Sequence, residues 1–113
     1  MSDRHRVVWS PAALDDLESA VDHLAVEHGL APALNLHEKV VARVESLSRR
    51  PMRCRVVPEL KAAGVTVYRE LIIPPYRVIF RIDEDIVGVA AFLDGRRDLD
   101  ELLVLRGFLS RDR

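Results

Sequence analysis

The feature that most limits the folds open to this chain is a change in its hydrophobic period. Up to about residue 50 apolar side chains recur at helical spacing, and from about residue 54 they alternate. The first half therefore asks for amphipathic helices and the second for strands. Val7-Val8-Trp9 reads as a short first strand, and Ser10-Pro11 as the N-cap and first residue of a helix. Leu14, Leu17, Val21 and Leu24 give that helix its inner stripe, Asp15 and Asp16 occupy the first turn, where the helix dipole favours anions, and Gly29 ends it. A second helix is expected to open near Pro32 and to bury Leu34, His37, Val40, Val41, Val44 and Leu47; Pro51 stops it. Two long helices joined by a few residues pack as an antiparallel hairpin.

The strands follow. The runs 65–73 and 76–82 are separated by Pro74-Pro75 and form a hairpin. In the second run Tyr76, Val78, Phe80 and Ile82 point one way and Arg77, Ile79 and Arg81 the other, so one face is expected to be apolar and one cationic. Asp83-Glu84-Asp85 turns the chain, and Ile86 to Leu93 is apolar on both faces, as in a central strand covered on both sides or lining the concavity of a curved sheet. After Asp94-Gly95, Asp98 and Glu101 resemble a capping box, and Leu99, Leu102, Leu103 and Phe108 supply a short C-terminal helix. The expectation is one α+β domain over residues 1–113: an N-terminal strand and a helix hairpin packed on a twisted, mainly antiparallel sheet, closed by a short helix.

Composition excludes several classes. With 49% hydrophobic residues in 113 the chain can bury a core, so disorder is not expected. No apolar run is long enough to span a membrane, and the N-terminus shows no signal-peptide core, which points to the cytoplasm. Cys54 is the only cysteine, which rules out an internal disulfide and reads as a packing or surface residue. His5, His23, His28 and His37 lack metal-ligand spacing, and no glycine-rich phosphate loop is present, so neither a metal nor a cofactor is expected. The net charge of −1 argues against a protein coated by nucleic acid, but it averages over a pattern. Of 17 cationic residues only Lys39 and Lys61 are lysines; arginines concentrate at 49, 50, 53, 55, 69, 77, 81, 96 and 97, while acids crowd at Asp15, Asp16, Glu18, Asp22 and Glu27. The planar guanidinium fork suits carboxylate or phosphate, so the bias fits a polar recognition surface; solvated, ion-paired faces would produce it too.

Five strings carry a resemblance. Trp9-Ser10-Pro11-Ala12-Ala13-Leu14-Asp15-Asp16-Leu17, Arg55-Val56-Val57-Pro58-Glu59-Leu60, Tyr68-Arg69-Glu70-Leu71, Tyr76-Arg77-Val78-Ile79-Phe80-Arg81-Ile82 and Gly95-Arg96-Arg97-Asp98 resemble, in order and spacing, the RelE/ParE superfamily of toxins from bacterial type II toxin-antitoxin systems. The resemblance covers nearly the whole chain. It implies a growth-inhibiting toxin of the kind found in plasmid stabilisation systems, held in a hetero-oligomer with a cognate antitoxin. Members divide by target: RelE-like toxins cut mRNA on the ribosome, and ParE-like toxins lack the nuclease residues and poison DNA gyrase.

RNA cleavage by 2′-hydroxyl attack needs a base, cations around the phosphorus and an acid for the leaving oxygen. The resemblance places Glu59 as the base and Arg69, Arg77, and Arg96 or Arg97 as the cations. Ribonuclease members carry a tyrosine or histidine just after the late arginine, and residues 98–105 here contain neither. The near-neutral charge points the same way, since a ribosomal nuclease gains from a positive field. The favoured reading is a non-enzymatic, ParE-like inhibitor of gyrase. The alternatives are a ribosome-dependent endoribonuclease with an atypical acid and a non-toxic binding module of the same fold. Target or antitoxin contacts are expected at Arg69, Arg77, Arg81, Arg96, Arg97, Leu103 and Phe108, with Val8 near the same core edge. Glu59 and Glu70 have a purely structural reading as partners of Arg55, Arg69, Arg77 or Arg97 that fix strand ends.

Overall fold

A computed structural model describes residues 4–109; the first three residues, on which part of the signal-peptide reading rests, and residues 110–113 lie outside the described part. The handover expected at Ser10-Pro11 is where β1 (Arg6–Trp9) ends and α1 (Pro11–His28) begins. Ser10 caps the helix by accepting a hydrogen bond from the Ala13 N–H at 3.0 Å. Gly29 closes it with φ at 98°, a conformation that favours glycine. The same residue opens α2 (Leu30–Glu45), so the helix starts two residues before Pro32. α2 stops at Glu45, well before Pro51, and passes through 3-10 turns at Ser46–Ser48 and Pro51–Arg53.

The inner stripes follow the expectation in part: Leu17, Val40, Val44 and Leu47 are buried as read, while other positions differ. α1 buries Ala13 and Leu17 while Leu14 is 51% exposed; α2 buries Ala33, Val40 and Val44 while Leu34 and Val41 are 53% and 45% exposed and His37 is exposed as well. Ala13 and Ala33 are fully buried, and a search for large apolar residues passes over them. A second departure is α3 (Pro58–Ala62), a short helix where the period-two reading expected extended chain.

β2 (Tyr68–Ile73), β3 (Tyr76–Asp83) and β4 (Ile86–Asp94) follow, then α4 (Leu99–Leu105), whose N-cap Asp98 accepts from the Glu101 N–H at 3.3 Å. The sheet order is β1-β4-β3-β2, with β1 parallel to β4 and the other pairs antiparallel. This is the expected α+β architecture. A bulge lies at Ala90: Ile79 opposes Ala91 but its neighbour Phe80 opposes Val89.

Two cores result. Between the helix pair and the sheet lie Leu17, Val40, Val44 and Leu47 against Leu71, Ile73, Val78, Phe80, Val87, Val89 and Phe92. On the opposite face Val57, Leu60, Leu99 and Leu103 cover Ile79, Ala91 and Leu93. The face expected to be cationic is therefore partly a second core: Ile79 is fully buried there, between Arg77 and Arg81.

Candidate functional site

The residues singled out from the sequence fall into three separate settings. The first is on the sheet face under α3. Pro58 starts α3, which places Glu59 in its first turn, and β2 and β3 bring Glu70 and Arg77 beneath it. Arg77 donates Nη1 and Nη2 to the two Glu59 carboxylate oxygens at 3.0 and 2.8 Å, and Nε to Glu70 at 2.6 Å. Glu70, whose side chain is entirely buried, accepts a second charged bond from Arg55 Nε at 2.5 Å. The result is an alternating row, Arg55–Glu70–Arg77–Glu59, in which each inner charge touches two opposite ones. Gly95 completes it: a Cβ there would stand 2.9 Å from Arg77 Cδ and 3.0 Å from the Pro75 carbonyl oxygen, so only glycine lets the Arg77 stem lie against this turn.

This bonding fixes the chemistry. The Arg77 hydrogen bonds hold the Glu59 carboxyl below the usual carboxylate range, and Glu59 with Glu70 raises Arg77 above the ordinary arginine value against the opposing effect of burial. A carboxylate stabilised in this way is a weaker base at neutral pH, and a guanidinium saturated by two carboxylates has little to offer a phosphate.

The second setting is a concavity of about 490 Å³ around the C-terminal end of β4, bounded by α1 and α4. Arg96, Arg97 and Arg106 line it, together with His23 and Asp16 from α1. Arg96 closes on Asp94 through two bonds at 2.8 and 3.0 Å, and this pairing lowers the Asp94 carboxyl and raises the Arg96 guanidinium. Asp16 is spent on structure: Oδ2 accepts from the Phe92 N–H at 3.0 Å, and the carboxylate pairs with Arg106 at 2.9 Å, tying α1 to β4 and α4. Asp16, His23 and Arg106 line the concavity as well, and nothing in the sequence marked them as sharing this space with Arg96 and Arg97. Glu59, Arg69 and Arg77 do not line this concavity, so the five residues assigned to a nuclease are not assembled around one space.

The third setting holds Arg69, which donates Nη1 to the carbonyls of Cys54 and Met52 at 2.5 and 3.3 Å. It ties β2 to the 3-10 connection after α2. Cys54 is half-buried beside it, and burial pushes its thiol up despite Arg53, Arg69 and Arg43 nearby. Arg81 pairs with Asp83 at 3.1 Å and stands 5.8 Å from the centre of the Tyr68 ring, which meets Phe108 edge to face. Leu103 is fully buried, Phe108 is half-buried beside it, and Val8 is exposed on the same sheet face. Among the described residues no three His, Cys, Asp or Glu side chains group to hold a metal ion, and no helix is long and apolar enough to cross a membrane.

Comparison with known proteins adds the following. A family model described as ParE toxin of type II toxin-antitoxin system, parDE, matches residues 7–99. Among solved structures the chain is similar to one described as a chromosomal ParDE TA system from P. aeruginosa, with 22% identity over 80% of this chain and 96% of that one and a TM-score of 0.67. Comparison with the curated proteins gives no match.

Proposed function

This chain belongs to the ParE toxin family of type II toxin-antitoxin systems, and we propose that it acts as a ParE-like, non-enzymatic inhibitor of DNA gyrase in the cytoplasm, neutralised by a cognate antitoxin. One observation carries the choice against RNA cleavage. Glu59 and Arg77, the residues a nuclease would need as base and phosphate cation, are bonded to each other and to the buried Glu70. Arg96 and Arg97 lie apart from them along a different concavity. The residues after Arg97 supply neither tyrosine nor histidine to protonate a leaving oxygen.

A reading without chemistry asks less of the site. An inhibitor of a protein machine needs a stable surface, and the ion-pair row braces α3 against β2 and β3. An antitoxin segment that folds on binding fits the apolar side chains left on the outer hairpin face, Leu14, Leu34 and Val41.

The test is induction in a sensitive bacterium, with gyrase-linked DNA breaks and mRNA 5′ ends mapped in parallel. DNA breaks without new RNA ends are expected. Glu59→Gln should keep toxicity, since no proton acceptor is required. Codon-phased RNA ends that disappear in Glu59→Gln would overturn the proposal in favour of ribosome-dependent cleavage.

A further inference from the structure

Five arginines in and beside the α2–β2 connection lie outside the ion-pair row. Arg43, Arg49, Arg50, Arg53 and Arg69 make no ion pair with a carboxylate among the described residues. Those that are bonded donate to neutral acceptors: Arg43 to the Ile72 carbonyl at 3.2 Å, Arg69 to Cys54 and Met52, and Arg53 to the carbonyls of Arg49 and Arg50 at 2.6 and 3.0 Å and to Ser46 Oγ at 3.1 Å. A carbonyl fixes a guanidinium without cancelling its charge. Three of these arginines, Arg43, Arg53 and Arg69, converge around Cys54, and a backbone bridge sets Arg4 beside Arg49.

Within this cluster lies a concavity of about 310 Å³ lined by Ser46, Arg49, Arg50 and Arg53. It contains no acid and no apolar side chain. Arg53 forms its braced wall, and all three arginines are exposed. Arg50 sits in the left-handed region with φ at 48° and ψ at 55°, a conformation that costs a residue with a Cβ roughly 1–2 kcal/mol and that collects at functional sites.

The geometry points to a phosphodiester-binding site here, engaging the backbone of a nucleic acid. Three guanidiniums around one polar hollow suit the oxygens of successive phosphates along a strand. A peptide would need apolar anchors that this hollow lacks. The overall charge of −1 does not oppose it, because the acids that balance the cluster crowd on α1. The site stands whichever macromolecular target the toxin disables.

Fluorescence anisotropy with a labelled duplex DNA and a single-stranded RNA of equal length tests it, alongside titration with inorganic phosphate. Three neutralised phosphates predict that DNA affinity falls about 40-fold between about 50 and about 200 mM salt, a log–log slope near about −2.7. The double variant Arg49→Ala/Arg50→Gly keeps the left-handed turn; it should bind at least about tenfold more weakly at low salt, with the slope reduced to about −0.9. Its melting curve checks that the fold is retained. The DNA and RNA arms report which polymer is bound, and binding of either with this dependence supports the site. The inference is overturned by absence of binding to both, or by a response to free phosphate alone. Loss of binding in Arg96→Ala/Arg97→Ala instead, or displacement of DNA by polyglutamate at equal charge, which would mark an acidic protein segment as the occupant, overturns it as well.

Discussion

Glu70 is the residue whose environment decides most. Its buried carboxylate accepts hydrogen bonds from both Arg55 and Arg77. Glu70→Gln should cost about 3 kcal/mol in denaturant unfolding, since it leaves Arg77 half-satisfied next to a packed core. Glu59 gives a pH signature. Its folded pKa lies below the ordinary glutamate value, so its contribution is present above that value and lost as the pH falls through the folded one. Glu59→Gln should therefore flatten the fall in stability between about pH 5 and about pH 3 relative to the unaltered chain. Gly95→Ala should destabilise by about 1–3 kcal/mol, because the new Cβ would press on the Arg77 stem and on the Pro75 carbonyl that the Gly95 N–H holds at 2.8 Å. The sequence made the acids and arginines of this row legible as potential partners. It did not reveal which acid meets Arg77, because Glu59 arrives from 18 residues away on a helix that alternation disguises.

Among the elements, those punctuated by local chemistry were the readable ones. Ser10-Pro11, Gly29 and Asp98 each mark a boundary through a cap that needs no knowledge of the rest of the chain. Ser10→Ala should lower stability by about 1 kcal/mol in a thermal or denaturant melt. The helix faces were less legible, because Ala13 and Ala33 carry too little hydrophobicity to announce their burial. The tie from Asp16 to Phe92 and Arg106 was invisible for a different reason: its partners stand 76 and 90 residues away. Asp16→Ala removes both bonds and should unfasten α4 first, read as hydrogen-exchange protection lost over residues 99–105 while the β3 amides stay protected.

At the scale of the whole molecule, one thin sheet serves two cores, the larger under the hairpin and the smaller under α3 and α4. The hairpin's outward apolar row has a consequence for assembly. Leu34→Asp/Val41→Asp should leave the toxin folded and toxic but no longer rescued by co-expressed antitoxin; rescue as efficient as for the unaltered chain would remove this face from the neutralising contact. The bulge at Ala90 resets the alternation along β4, in which Val87, Val89 and Phe92 face the hairpin while Ala91 and Leu93 face α4. In the terms of a coding sequence, that makes Ala90 a codon the gene can lose in frame. Without it Val89, Ala91, Phe92 and Leu93 alternate strictly, and every one keeps its side. Loss of the Val78 codon instead exchanges Ile79 and Phe80 between the cores, so the first deletion should yield folded protein and the second should not.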